Sequence, residues 1–223
     1  MDNNAKALIT QQRLSNQILI GDPLSDAAQV VEWFGAVQAQ DYAGCLLGVG
    51  LRLGNSSVRA VEKAIAARTI LRTWPMRGTV HLVPAADAKW MLRTLTPRVI
   101  ARSAARYREL GLDANTLTRC RDLLIKALQG GKLLPRKQVY AALEAGGISN
   151  TKERGSHIIG HWAQEALICV GPHQGKQPTV ALLDEFVPHS RDLQGDAAWA
   201  ELALRYFRSH GPATIQDFCW WTG

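Results

Sequence analysis

One pattern recurs three times along the 223 residues and limits the fold more than any other feature. A helical stretch runs into a glycine, a short link follows, and a second stretch with apolar helical periodicity begins. The copies occupy residues 17–34, 123–143 and 202–221. Gly130 and Gly211 stand where a helix C-cap favours a left-handed residue. Pro135 suits the first turn of the helix after it, and Thr214 precedes Asp217 by three residues in a capping-box spacing. Pairs of short helices joined this way open a helix-turn-helix.

The first two copies continue in the same manner. Ser57–Ala67 carries apolar residues at 58, 61, 64 and 65, with Ser56 or Ser57 placed to cap a helix. Ile70–Thr73 and Thr79–Val83 then alternate, with Pro75 and Gly78 marking a bend, as in a β-hairpin. After the second copy, Glu153–Ala166 reads as a helix with Ile158, Ile159 and Trp162 inward. A second hairpin, 167–170 with 179–183, encloses a polar tip. Three helices followed by a hairpin is the winged-helix plan. The expected fold is therefore α+β, mostly α, made of tandem winged helices: one unit at 1–95, one at 96–192, and the truncated start of a third at 193–223. Phe218, Trp220 and Trp221 need cover there, from further chain or by docking back on the second unit.

Composition narrows the function. Apolar residues at 47% and charged residues at 20% suit a chain with a real core. The longest apolar run, Cys45–Leu51, is far short of the roughly 20 residues that span a bilayer. Met1–Lys6 lacks the opening of a signal peptide, and the cysteines at 45, 120, 169 and 219 form no CxxC pair. A reduced cytoplasmic protein with no membrane partner is expected. Net charge is +7 with a pI near 9.5, and arginines outnumber lysines 18 to 8. Such an excess attracts polyanions, and the guanidinium fork suits phosphate.

Two segments concentrate polar chemistry. Trp90–Leu110 holds Arg93, Arg98, Arg102, Arg106 and Arg108 against one acid, Glu109. Arg98, Arg102 and Arg106 at i, i+4 and i+8 share one face of a helix, where like charges repel unless an anion neutralises them. Phosphate contact or a solvated face both fit. Val37-Gln38-Ala39-Gln40-Asp41 closes the second helix. In extended backbone the two amides project the same way, although a polar helix end would look the same.

That segment, together with Arg72-Thr-Trp-Pro-Met-Arg-Gly-Thr-Val-His-Leu-Val and the run Gly211–Gly223, resembles the AlkZ-like winged-helix DNA glycosylases. The resemblance extends over the whole chain. It implies a concave cradle for double-stranded DNA and assigns Gln38 and Gln40 as the catalytic pair that excises bulky alkylated purines and unhooks interstrand crosslinks. The family's later domains are absent from this sequence. An N7-alkylpurine is already cationic and leaves without protonation. What remains is to hold a water and stabilise oxocarbenium character, which two converging amide oxygens can do. Asp41 and His81 are candidates for support, against a turn-capping and a packed role respectively. Arg77 at the first hairpin tip joins Arg98, Arg102 and Arg106 as a candidate DNA contact.

Other chemistries fit poorly. Gly48–Gly54 lacks phosphate-loop spacing, so close helix packing is the expectation for its glycines, and Gly175-Lys176 is no Walker motif. His157 and His161 sit four apart but have no third ligand, so no metal and no cofactor are expected. A monomer associated with the nucleoid is anticipated. The competing function is a non-enzymatic winged-helix DNA-binding protein or regulator reading DNA with residues 57–67 or 153–166. Whether Gln38 and Gln40 face a concave basic surface discriminates the two.

Overall fold

The computed structural model describes residues 2–55 and 57–223. In chain order it contains α1 (Asn3–Asn16), α2 (Ala27–Phe34), β1 (Val37–Gln38), α3 (Tyr42–Gly50), α4 (Val58–Ala66), β2 (Ile70–Met76) and β3 (Thr79–Pro84). Then follow α5 (Ala88–Arg102), α6 (Ala104–Glu109), α7 (Ala114–Leu128), β4 (Leu134–Pro135), α8 (Arg136–Ala145) and α9 (Arg154–Gln164). The remainder is β5 (Ile168–Gln174), β6 (Gln177–Leu182), α10 (Leu183–Phe186), α11 (Gly195–His210) and α12 (Ile215–Thr222). No helix among the described residues is long and apolar enough to cross a membrane.

The two expected hairpins, β2–β3 and β5–β6, are present. They do not stand apart: all strands form one six-stranded antiparallel sheet, in the order β1-β3-β2-β5-β6-β4. The seam between the hairpins is a single register pair, Arg72 with Val170. Strand alternation, shifted by a bulge between Thr73 and Met76, sends Leu71, Met76 and Val83 to one face, where Trp90 and Met91 of α5 and Leu202 and Tyr206 of α11 cover them. The opposite face splits into two lobes. Ile70, Val80 and Leu82 pack on α2, α3 and α4, and Ile168, Val180 and Leu182 pack on α7, α8 and α9.

Local departures from the sequence reading have physical causes. Asp26 caps α2 by accepting from the Gln29 N–H at 2.9 Å, and Gly35 at φ 75° ends that helix. The chain then extends, so Val37 and Gln38 form a strand on β3 rather than a helix end, and a new helix starts after Asp41. Ser57 caps α4 through the Arg59 N–H; Ser56 lies outside the described residues. Gly211 is extended (φ −63°, ψ 157°), not left-handed, because the residue before proline is pushed to extended backbone. A Cβ there would lie 2.5 Å from the Phe207 carbonyl oxygen, so the glycine is required by close approach. Close packing does not explain Gly48 or Gly50, whose added Cβ atoms would meet nothing within 4 Å.

The arginine helix is also not continuous. It breaks at Ser103, whose hydroxyl donates to the Val99 carbonyl at 3.0 Å. Arg106 therefore begins life on α6, where it pairs with Glu109 at 2.9 Å and Glu153 at 2.8 Å. Glu153 is an acid that the count over 90–110 could not include.

The expected capping box of the third copy forms, with Thr214 and Asp217 satisfying each other's backbone N–H groups. Phe218 is buried and Trp221 packs 5.2 Å from the Tyr206 ring and against Gly35, while Trp220 stays exposed. Trp221 thus docks on α11 and beside Gly35, and Phe218 joins the core cluster under the sheet. Beneath it lies a buried ion network. Asp87 accepts from Arg205 at 2.8 Å, from Arg191 at 3.1 Å and from the Trp90 indole at 2.8 Å. Glu201 takes the remaining Arg205 donors. Opposite charges 118 residues apart in the chain fasten α11 to the start of α5.

Candidate active site

The antiparallel pairing of β1 with β3 puts Gln38 directly opposite His81. Directly opposed residues project to the same face, roughly 5 Å apart at Cβ. Both side chains line one cavity of about 270 Å³, near the lower end of small-molecule sites. Arg52, Arg77, His210 and Trp221 complete its polar and aromatic wall, and no carboxylate is among the lining residues.

His81 is the most constrained group there. It is 1% exposed, and its Nδ1 lies 2.9 Å from the Thr79 carbonyl oxygen. A carbonyl only accepts, so Nδ1 carries the proton and the neutral ring keeps Nε2 as an acceptor. Burial, reinforced by the nearby Arg77 charge, pushes the imidazole down to about 4 although the Thr79 contact favours the charged form. At neutral pH His81 is an uncharged hydrogen-bond acceptor. Arg77 occupies the left-handed region (φ 53°), followed by Gly78 at φ 69°. Two positive φ values in a two-residue loop suit the twist of the hairpin, and they aim Arg77 back to the cavity, where its Nη1 reaches the Trp220 carbonyl at 3.4 Å. Arg52 donates to the Gln17 carbonyl at 2.7 Å and lies 4.8 Å over the Phe34 ring.

Gln40 does not share this cavity. The strand ends at Gln38, the backbone turns, and the Gln40 amide oxygen accepts from the Val80 N–H at 3.1 Å. Gln40 lines a second cavity of about 390 Å³ with Arg72, Trp74 and Val80. The two glutamines thus line different cavities instead of converging on one point. Asp41 sits at the N-cap position of α3 and makes no side-chain cap hydrogen bond. Its Oδ2 is 2.6 Å from where a Cβ on Gly44 would lie, so the carboxylate folds over the first turn of α3 and away from Gln38's cavity lining.

Arg98 and Arg102 are exposed on the outer side of α5, whereas Arg106 is engaged by two carboxylates. His157 is half-buried near Glu153, and His161 is buried with its ring lowered by desolvation. Among the described residues no group of three His, Cys, Asp or Glu could hold a metal ion. Sequence reasoning missed Arg72, Arg52 and His210. Arg72 carried a signal, a charged residue inside a strand of otherwise apolar and β-branched neighbours. The other two arrive from distant elements and carried none.

Residues 31–223 match the family described as DNA glycosylase AlkZ-like, and the chain belongs to that family. Among curated proteins it is similar to the interstrand DNA cross-link repair glycosylase of Streptomyces sahachiroi, with 27% identity over 228 residues, covering 94% of this chain and 58% of the relative. Among solved structures it is similar to the Streptomyces sahachiroi DNA glycosylase AlkZ, with a TM-score of 0.79 and 23% identity, covering 96% of this chain and 60% of that one. The mostly helical α+β fold with its antiparallel sheet is thus shared with that structure. The chain spans about three-fifths of the length of both relatives.

Proposed function

We propose that this protein is a DNA glycosylase of tandem winged-helix construction that binds double-stranded DNA and excises bulky N-alkylated purines. The curated relative is named for interstrand cross-link repair, and unhooking of such crosslinks is the same bond cleavage on a tethered base. The observation that carries the reading is the Gln38–His81 pair, opposed on adjacent strands in a cavity that cations line and carboxylates do not.

The chemistry follows from that pair. The bond between C1′ and the purine N9 breaks, and its electrons neutralise the alkylated base. The Gln38 amide oxygen and His81 Nε2 each accept a hydrogen bond from one water, whose oxygen then bonds to C1′. The oxonium so formed is far more acidic than an imidazolium titrating at about 4, so His81 can receive its proton and pass it to solvent. Gln40 supports the same reaction by gripping the Val80 N–H, one residue from His81. Arg77 at the hairpin tip and the exposed Arg98 and Arg102 hold phosphates, which fixes register without reading sequence.

Single-turnover release of 7-methylguanine from duplex DNA tests this. His81→Ala slows release by about 10²-fold, the scale of losing one preorganised partner, while Asp41→Asn stays within a few-fold of wild type. Equal rates for wild type and His81→Ala would overturn the assignment.

A further inference from the structure

The second cavity, at the seam between the two hairpins, has a chemistry of its own. Arg72 is only 9% exposed, yet among the described residues no carboxylate lies within salt-bridge distance. Its Nη2 donates to the Ala39 carbonyl at 3.1 Å, its guanidinium lies 4.7 Å over the Tyr42 ring, and its Nε has no partner. Burial lowers its affinity for the proton, with Cys45 and Tyr42 as the only opposing influences. A buried cation in a folded protein is normally matched by an anion. Here the fold supplies none.

The other groups lining the cavity point to the same deficit. The Gln40 oxygen is held by the Val80 N–H, which can only donate, so the amide's NH₂ is what remains for a ligand. Arg136 uses its Nε on the Tyr140 hydroxyl at 2.6 Å and keeps its terminal nitrogens. The Thr179 and Ser156 hydroxyls are turned to the Pro172 and Glu153 carbonyls, both at 2.7 Å. The donors left free are the Gln40 NH₂ and the nitrogens of two guanidiniums, and no acid lines the cavity. Trp74 supplies one flat apolar wall.

We propose that this seam cavity binds a phosphate oxyanion, with Arg72, Arg136 and the Gln40 NH₂ as donors, and that the anion is one phosphodiester of bound DNA. This rests on the glycosylase reading for the source of the phosphate and on the residues alone for the anion. The phosphate would neutralise a buried guanidinium that meets no carboxylate among the described residues, and through Arg72 it would steady Ala39, the residue between Gln38 and Gln40.

Two arms test it with the 223-residue chain. In the first, thermal unfolding is followed in inorganic phosphate and in chloride of equal ionic strength. Phosphate raises the midpoint of wild type and not of Arg136→Gln or Arg72→Gln. In the second, affinity is measured for duplexes that each carry one neutral methylphosphonate, scanned along both strands. Wild type loses about tenfold at one position, Arg136→Gln loses about as much on unmodified DNA, and the variant loses nothing further at that position. Its plot of log affinity against log salt is shallower by nearly one unit. Phosphate protection without DNA binding would retain the anion site while removing both DNA as its source and the glycosylase reading. No phosphate protection, together with an Arg136→Gln variant that binds every duplex as wild type does, would overturn the proposal.

Discussion

Two arginines are buried among the described residues, and they are treated oppositely. Arg205 is 3% exposed and every direction of its guanidinium meets a carboxylate, Asp87 at 2.8 Å and Glu201 at 2.6 Å. Arg72 is 9% exposed and meets a carbonyl oxygen and an aromatic face. Both sit on the central sheet and its cover, so depth alone does not decide the difference. Arg205 lies where α11 crosses α5, a place nothing else must enter. Arg72 lies at the mouth of a cavity beside the Gln38–Gln40 segment. A closed charge network holds the fold together; the open one is where we place the phosphate.

The sharpest way to break this contrast is Asp87→Ala. It leaves buried Arg205 with Glu201 as its one carboxylate partner and the Trp90 indole without its acceptor. Urea unfolding should record a loss of about 3–5 kcal/mol, the range for removing one member of a buried pair. Next in size is the pH dependence of stability. His81 titrates at about 4 in the folded protein against 6.5 unfolded. Between those values the unfolded chain binds the extra proton, so stability is full above about 6.5 and falls as pH drops toward 4, by up to about 3 kcal/mol from this residue. Unfolding midpoints of wild type and His81→Gln should converge across that window. Buried His161 and His210, both lowered by desolvation, add to the acid sensitivity in both proteins.

Arg72→Met should cost far less than Asp87→Ala, about 1 kcal/mol for the lost bond to Ala39, because no carboxylate is orphaned by it. A loss as large as that of Asp87→Ala would mean Arg72 is a structural residue like Arg205. The smallest effects are on the surface. Arg98→Gln and Arg102→Gln should each flatten the salt dependence of DNA affinity by nearly one unit, and Arg106→Gln by less, since Glu109 and Glu153 already occupy its guanidinium.

The parts of this architecture that were legible in the sequence are those written locally. The hairpins follow from β-branched alternation, with Gly78 at the first turn although Pro75 lies inside β2 at its bulge rather than in the bend, the α12 capping box from Thr214 and Asp217, and α9 from its apolar stripe. The joining of the hairpins into one sheet was not legible, since it depends on the single pair Arg72 with Val170, nearly a hundred residues apart. At the site, the sequence singled out both glutamines but put them in a common direction. The turn after β1, which aims Gln40 at the other cavity, is set by the tertiary bond to Val80 and not by residue spacing. His81 looked ordinary as a lone histidine in a strand. Its neighbour across the ladder gives it meaning, and strand pairing is not written in any local motif.

The central claim is that Gln38 acts on the reacting centre from the cavity it shares with His81. Base release and duplex affinity, measured side by side for wild type and Gln38→Ala on DNA carrying one 7-methylguanine, test it most directly. The account predicts that release slows by about 10²-fold or more while affinity changes less than twofold, because ground-state binding rests on phosphate contacts elsewhere. A Gln38→Ala protein that binds the duplex normally and frees the base at the wild-type rate would contradict it.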